Sequence, residues 1–297
     1  MQRNSRIISE VEAAAQIRDG MTVYIGGFSL SSHPMAIVRQ ILRNGVKDLT
    51  VVGAATASIE IDMLIAAGVV KKVITSYIGI EGHMPMGPFY RAAAQSGELN
   101  LWEIDESGFY AGLRAGSFDL PFMPDRAQVG TDYTNLNPDL KAFVDPIEGK
   151  QLVAIPAIKP DVALIYVAES DEFGNVRFIG SGFGDRTAVR ASTICIAQAE
   201  KIISNEEIRM NPQATSIHGV NYVVRAPFGA HPFSSPGNYL TDNEIIKEYV
   251  KAGESYLKTK DRTLIDSWLA KWVYEPQDHI EYLERVGVKK LFSLNEY

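Results

Sequence analysis

A glycine pair and an acidic pair are the residues of this sequence that are best placed to do chemistry. Gly26 and Gly27 follow the β-type run 22–25, and a helical pattern begins near residues 33–34. A glycine turn between a parallel strand and a helix lets backbone N–H groups approach an anion or an acyl carbonyl. The candidate ligand-binding residues are therefore Gly26, Gly27, Phe28 and Ser29. The pattern is not a full dinucleotide fingerprint, and an ordinary tight turn is equally consistent with it.

The acidic pair lies at the end of another apolar run. Asp105 and Glu106 follow residues 99–104 and open a second helical pattern. Ligands of open α/β sheets bind beyond the carboxyl ends of strands, so this acidic stretch, which includes Glu106, could lie at a ligand site. The alternative is an N-terminal cap, in which Asp or Ser satisfies free N–H groups and Glu complements the helix dipole.

Several other small-residue turns also follow apolar runs. They contain Gly53, Gly79 and Gly130, and the stretch Gly180, Ser181 and Gly182. Because the carboxyl ends of parallel strands meet at one edge of a sheet, these turns are predicted to converge. Several of them together would make one site.

The remaining motifs argue against several other kinds of chemistry. The five histidines lack the paired spacing of a catalytic zinc site, so no metal is expected. His33 and His231 each precede proline and are predicted to be solvated or to have a capping role. The single cysteine, Cys195, excludes an internal disulfide and is predicted to be a buried small hydrophobe. Neither a G-x-S-x-G elbow nor a P-loop occurs.

Charge and hydropathy limit the partners. The net charge of -7 and the lack of a basic cluster argue against nucleic acid and anionic membrane surfaces. The first residues are not followed by a long apolar stretch, and no apolar run approaches the roughly 20 residues of a membrane span. A soluble, cytoplasmic protein is expected.

Short apolar, β-branched runs alternate with helical patterns along the chain. Such runs are typical of strands that crossover helices bury on both faces. They predict strands at residues 22–25, 49–52, 72–77, 99–104, 152–155, 162–167, 201–203 and 220–226. Helices are predicted at residues 8–19, 34–44, 60–67, 88–96, 108–116, 185–199 and 242–258. The alternation predicts an α/β fold with an open, largely parallel sheet flanked by helices.

One domain is expected over residues 1–297. Residues 122–150 are polar and rich in turn dipeptides, so they are expected to form a surface excursion over one face. Such excursions often shape a pocket. Residues 242–297 are expected to be helical, with Trp268 and Trp272 in core or oligomer packing.

With these residues placed, the chain resembles the class I coenzyme A transferases, most closely the α subunit of the glutaconate CoA-transferase branch. The resemblance covers nearly the whole chain, in order. It rests on residues 25–29 (Ile-Gly-Gly-Phe-Ser) followed by Pro34, 48–50 (Asp-Leu-Thr), 62–65 (Asp-Met-Leu-Ile), 120–124 (Leu-Pro-Phe-Met-Pro), 161–165 (Asp-Val-Ala-Leu-Ile), 200–209 (Glu-Lys-Ile-Ile-Ser-Asn-Glu-Glu-Ile-Arg), 226–232 (Ala-Pro-Phe-Gly-Ala-His-Pro), 272–275 (Trp-Val-Tyr-Glu), 278–279 (Asp-His) and 281–283 (Glu-Tyr-Leu).

The resemblance implies a heteromeric enzyme with coenzyme A thioesters as substrates and no tightly bound cofactor. In that family an α/β subunit pairs with a homologous β subunit, whose glutamate forms a glutamyl-CoA thioester while N–H groups stabilise the tetrahedral species. The β-subunit glutamate lies in a Glu-Ser-Gly stretch after the second strand, where this chain has Gly53, Ala54 and Ala55. The nucleophile is therefore expected on the partner, in a heterodimer or an α2β2 assembly.

Three functions follow from the resemblance. The first is the α subunit of a CoA-transferase acting on (di)carboxylic acids, with residues 26–29, Gly130 and 180–182 lining the acyl site and Tyr77 and Glu106 beside it. The second is a ring-opening CoA-thioester hydrolase or lyase, because the similar IpdA-type subunit of a cholesterol-catabolic hydrolase carries its essential glutamate where Glu106 stands. In that case Glu106 acts as a base. The third is a non-catalytic scaffold for the partner subunit.

Overall fold

Eleven strands are present in the computed structural model, which describes residues 4–180 and 182–295. They are β1 (Thr22–Ile25), β2 (Leu49–Gly53), β3 (Val70–Thr75), β4 (Asn100–Glu103), β5 (Phe122–Asp125), β6 (Lys141–Val144), β7 (Gln151–Pro156), β8 (Val162–Ser170), β9 (Val176–Arg177), β10 (Ile194–Ile202) and β11 (Tyr222–Arg225). Seven of them form a parallel sheet in the order β11-β10-β8-β1-β2-β3-β4, and β9 pairs antiparallel with β8. The predicted α/β fold with an open, largely parallel sheet is confirmed.

Helices connect these strands and complete the chain. They are α1 (Glu10–Ala14), α2 (Met35–Arg43), α3 (Ile59–Ala66), α4 (Pro88–Ser96), α5 (Glu106–Ser117), α6 (Tyr133–Leu136), α7 (Asp185–Ala191), α8 (Asn205–Met210), α9 (Asn243–Thr259), α10 (Thr263–Leu269), α11 (His279–Val286) and α12 (Val288–Ser293), with a 3-10 turn at Pro212–Ala214 and a π turn at Ala270–Tyr274. Within residues 4–180 and 182–295, no helix has both the length and the apolar character needed to cross a bilayer.

The main sheet is buried on both faces. Because successive side chains of a strand point to opposite sides, each strand contributes to two separate cores. Along β1, Val23 and Ile25 belong to one hydrophobic core, and Tyr24 between them belongs to the other. Helices α2, α3, α9 and α10 contribute to the first core, which also holds both Trp268 and Trp272. Helices α5 and α7 contribute to the second core. The end of β1 is therefore framed by two separate helical layers.

The strand register brings the carboxyl ends of four strands together. Ile25 of β1 pairs with Gly53 of β2, and the last residue of β3, Thr75, pairs with Glu103 of β4. The turns that follow these strands therefore lie along one edge of the sheet. In an open α/β sheet this is the edge at which ligands bind.

The helix predicted over residues 185–199 is wrong in its second half. Helix α7 ends at Ala191, and β10 begins at Ile194 and includes Cys195, which is buried as predicted. Strand β10 lies between β8 and β11 and is covered on both faces, so its sequence is apolar without alternation. A short run of this kind does not differ in periodicity from a buried helix.

Residues 122–150 contain β5, α6 and β6, although the sequence predicts no strand there. The two strands pair antiparallel with β7 in a second, three-stranded sheet of order β5-β7-β6. All eight residues of β5 and β6 are exposed or only partly buried. Their sequences consequently lack the continuous apolar run that marks the strands of the main sheet.

Candidate functional site

The two glycines after β1 make room for two buried ionisable side chains. A Cβ atom built on Gly26 would lie 2.6 Å from Oδ1 of Asp185. Gly27 has a φ of +109°, and a Cβ atom built on it would lie 2.5 Å from Nδ1 of His33. Because real Cβ atoms do not approach other heavy atoms this closely, only glycine fits at either position. The turn is therefore packed between His33 and Asp185.

The backbone N–H groups of this turn all have acceptors within the chain. Gly26 N–H donates to Leu164 O (2.8 Å), Gly27 N–H to the Asp185 carboxylate, Phe28 N–H to Ser31 O (2.9 Å) and Ser29 N–H to Thr56 O (2.8 Å). At the start of α2, Ala36 N–H and Ile37 N–H also have acceptors, Gly229 O and the Gln198 side chain. Within this chain, these N–H groups are therefore already paired, and the role of the turn in binding a ligand stays a prediction.

The loop before α7 closes over the same turn. The rings of Phe28 and Phe183 stack with centroids 4.0 Å apart and planes 10° apart. Beside them lies a cavity of about 240 Å³, lined by Phe28, Ser31, Ser32, Phe183 and Pro236. A Cβ atom built on Gly180 would lie 3.5 Å from Pro236, one of the residues that line this cavity. Gly182 packs against Phe178, and Ser181 lies outside the described residues.

Glu106 lies at the same edge and is free of the capping role. Asp105 caps α5, because its Oδ1 accepts the Gly108 N–H at 2.8 Å. Glu106 is the first residue of α5 and is exposed. Burial, and next the carboxylates of Glu106 and Asp185, raise the pKa of Tyr110. Its ring also packs against Gly184.

Gly130 and Tyr77 lie in two different loops. The loop that carries Gly130 is fixed to the start of α5, because the Gln128 side chain donates to Asp105. Tyr77 follows β3, is 41% exposed and donates its hydroxyl to Pro85 O. The Ser29 hydroxyl donates to Glu81, which joins the turn to the loop after Tyr77. In the described part of the chain, no contact joins Tyr77 to Glu106.

His33 and His231 are completely buried, so the prediction that they are solvated or have a capping role is wrong. The His33 ring packs against Phe233 at 4.7 Å between centroids. His231 is hydrogen bonded through Nδ1 to the Tyr282 hydroxyl (2.7 Å) and through Nε2 to Asp242 (3.2 Å). The His-Pro pattern predicts a turn correctly but does not show that other parts of the chain cover it.

Asp185 is a buried acid that sequence reasoning missed. The Tyr24 hydroxyl donates to its Oδ1 at 2.8 Å, and the Gly27 N–H is its other donor. Burial raises the pKa of Asp185 to about 7, and these two hydrogen bonds only partly oppose the increase. Two consecutive glycines after a strand are the only sequence signal that bulky side chains approach the backbone there.

The raised pKa of Asp185 predicts a pH-dependent stability. The folded state holds the proton more tightly than the unfolded chain, so this stabilisation is complete below about pH 4 and is lost as the pH rises through about 7. The free energy of unfolding of the wild type falls between pH 5 and pH 8 as Asp185 ionises. For Asp185→Asn, which cannot ionise, this fall is expected to be smaller by roughly 2–3 kcal/mol. Urea denaturation at both pH values measures the difference.

Asp266→Asn is the matched control for this measurement. Asp266 is exposed and forms an i,i+4 pair with Arg262, so its replacement should leave the wild-type pH slope unchanged. Other buried acids, such as Asp62, contribute equally to all three proteins and cancel in the comparison. Equal slopes for Asp185→Asn and wild type would show that Asp185 is ionised in the folded state throughout this range.

Comparison with known proteins assigns the class of this fold and site. Residues 8–226 match the family described as Coenzyme A transferase. The chain belongs to the coenzyme A transferase family. The α subunit of the glutaconate CoA-transferase of Acidaminococcus fermentans is 31% identical over 309 residues, which cover 98% of this chain and 94% of that protein.

Two further similarities are relevant to the site. The crystal structure of the glutaconate coenzyme A-transferase from Acidaminococcus fermentans superimposes with a TM-score of 0.92 and 32% identity, over 99% of this chain and 96% of that chain. The cholesterol ring-cleaving hydrolase IpdA subunit of Mycobacterium tuberculosis is 31% identical over 255 residues, which cover 82% of this chain and 87% of that protein. One family thus includes relatives named for two different reactions.

Proposed function

We propose that this chain is the α subunit of a heteromeric CoA-transferase that moves coenzyme A between carboxylic acids, dicarboxylic acids among them. The observation that carries the proposal is the likeness to the α subunit of glutaconate CoA-transferase along almost the entire chain. Coenzyme A thioesters are substrates in this proposal, and no tightly bound cofactor is needed. The partner is a homologous β subunit, in a heterodimer or an α2β2 assembly.

The end of β2 supports a nucleophile on the partner. Gly53, Ala54 and Ala55 are all buried there, and the Thr75 hydroxyl donates to Ala54 O at 3.0 Å. A Cβ atom built on Gly53 would lie 2.6 Å from the Ile61 side chain, so the position has no room for a larger residue. This strand end offers no carboxylate, which supports a nucleophilic glutamate on the β subunit.

The chemistry then proceeds through two acyl transfers on that glutamate. Its carboxylate attacks the thioester carbonyl and expels CoA as a thiolate, which leaves a mixed anhydride. The thiolate next attacks the glutamyl carbonyl, which releases the first carboxylate and forms glutamyl-CoA. An incoming carboxylate reverses both steps and leaves as the new CoA thioester. Residues 26–29, Gly130 and 180–182 are proposed to border the acyl group, with Tyr77 and Glu106 nearby.

A second candidate function is favoured by the exposure of Glu106. The structure gives the capping role to Asp105 and leaves the Glu106 carboxylate accessible at the edge where strand ends meet. In this alternative Glu106 is a base that adds water to a β-keto thioester ring, and retro-Claisen cleavage of a C–C bond follows. The likeness to the IpdA subunit supports it over a shorter part of the chain.

Glu106→Gln separates these functions. In the co-purified complex, the CoA-transferase proposal predicts a loss of less than about tenfold in kcat, since Glu106 only borders the acyl group. Glu98→Gln, an exposed acid outside the site, is the matched control and should match wild type. A loss of about 10³-fold or more with intact assembly would instead establish the hydrolase. If kcat did not change at all, and the partner subunit were active alone, this chain would be identified as a scaffold.

A further inference from the structure

Both ring nitrogens of His33 face carbonyl oxygens. Nδ1 lies 2.8 Å from Gly26 O, and Nε2 lies 2.9 Å from Ser29 O. A carbonyl oxygen accepts hydrogen bonds and cannot donate one, whereas a neutral imidazole carries only one N–H. The ring is completely buried, so no water competes for either nitrogen. Only the imidazolium form donates to both oxygens.

The counter-charge lies beside the ring. Oε1 of Glu60 is 3.4 Å from Nδ1 of His33, and both side chains are completely buried. Both carboxylate oxygens of Glu60 accept the Ser58 N–H, at 2.9 and 3.1 Å. A donor that faces both oxygens suits an ionised carboxylate, which only accepts hydrogen bonds. Another buried acid close enough to be affected by the Glu60 charge, Asp62, is held separately by the Tyr249 hydroxyl and the N–H groups of Phe89 and Tyr90.

We propose that His33 is a positioning residue, an imidazolium that is neutralised by Glu60 and that locks the turn of residues 26–29 through two carbonyl groups. The proposal about charge stands on the geometry alone, and its consequence for catalysis rests on the proposed CoA-transferase function. His33 does not touch the acyl group. It acts through the backbone that carries Phe28.

The proton count of the pair agrees with this assignment. Burial lowers the pKa of His33 to about 4 and raises that of Glu60 to about 8. A neutral pair and an ion pair contain the same number of protons, so between these two values the pair holds one shared proton. The two carbonyl acceptors give that proton to the imidazole.

The lock explains an unfavourable backbone conformation. Ser29 has a φ of +53°, in the left-handed region that non-glycine residues avoid. Such a conformation persists only where the surroundings hold it. The hydrogen bond from His33 Nε2 to Ser29 O adds to the restraints that Thr56 O and Glu81 place on Ser29, next to the Phe28 ring that stacks on Phe183.

NMR of the histidine ring nitrogens in the complex tests the charge directly. With ¹⁵N-histidine in this chain, and His33→Gln used to assign the signal, both His33 nitrogens should show imidazolium shifts at pH 7. A single neutral tautomer at pH 7 would overturn the proposal. Because this readout needs no turnover, it remains valid even if the CoA-transferase function fails.

Substitutions test the positioning role in the same complex. His33→Gln is expected to lower the melting temperature by roughly 10 °C and kcat by roughly 10- to 100-fold, with KM little changed. His33→Lys keeps a positive charge and several donors, so it should recover most of both losses. The double variant His33→Gln/Glu60→Gln removes both charges of the pair, so it should melt at a higher temperature than Glu60→Gln alone. Equal losses for His33→Lys and His33→Gln would show that charge is not what His33 provides.

Discussion

Gly27→Ala is expected to lower the free energy of unfolding by about 3–5 kcal/mol and to remove CoA transfer by the complex. Two costs add at this position. Alanine is strained at a φ of +109°, and its methyl group would lie 2.5 Å from Nδ1 of His33. The ring cannot retreat, because both nitrogens are bound to carbonyl groups and Phe233 packs on its face. Urea denaturation and a CoA-transfer assay on the same preparation measure the two effects.

Gly45→Ala separates the collision from the backbone strain. Gly45 also has a positive φ, +67°, but a Cβ atom built there has no neighbour within 4 Å. Its replacement should cost only about 1–2 kcal/mol and leave transfer intact. If Gly27→Ala were no more destabilising than Gly45→Ala, the close packing of His33 against the turn would be refuted.

Glu200→Ala is the second substitution with a large expected effect, a loss of about 3–5 kcal/mol in the free energy of unfolding. The Glu200 carboxylate accepts from the Tyr166 hydroxyl (2.7 Å), the Tyr239 hydroxyl (3.2 Å) and the N–H groups of Phe228 and Gly229. Removing it leaves these mostly buried donors without their acceptor. It also releases Phe228, which is held at a positive φ of +53°. Thermal and urea denaturation measure the loss.

Glu206→Ala provides the comparison within the same segment. Glu206 is exposed, and its pair with Arg209 is an exposed i,i+3 pair with a distance of 3.8 Å. Its removal should therefore lower the free energy of unfolding by less than about 0.5 kcal/mol. Burial raises the pKa of Glu200, which shows that its carboxylate is desolvated in a way that Glu206 is not. A similar small cost for both variants would mean that the donors around Glu200 find water or other acceptors.

The strand ends of the site could be predicted from the sequence, because the apolar runs before them are local signals. The run 22–25 matches β1, and the turn with Gly26 and Gly27 lies at the carboxyl edge of the sheet as the pattern indicates. The helix start at Asp105 was also visible, since a capping acid next to a helical pattern is a local feature. The sequence does not show which of the two acids, Asp105 or Glu106, caps the helix. That depends on which of the two neighbouring carboxylates turns back onto the helix.

The buried acids and histidines could not be predicted, because their environment is set by residues far away in the sequence. Asp185 meets Tyr24 across 161 positions, and His231 meets Tyr282 across 51. His33 and Glu60 are joined only after α2 and α3 pack on the same face of the sheet. Likewise, β10 is recognisable as a strand only when its neighbours β8 and β11 are known.

The central claim about function is that two subunits contribute different parts of one active site. This chain provides a locked turn, the Phe28–Phe183 stack with its cavity, and an accessible acid in Glu106. Its second strand ends in small buried residues and has no place for a nucleophile. We therefore propose that the covalent chemistry takes place on the β subunit.

The most direct test is to find which chain carries coenzyme A during turnover. The complex is mixed with an acyl-CoA substrate, quenched in acid, and the intact mass of each subunit is measured. The proposal predicts that a glutamate of the β subunit carries a coenzyme A adduct, whereas this chain keeps its unmodified mass. An adduct on this chain would contradict it, as would turnover that depends completely on Glu106 and leaves no adduct on either protein.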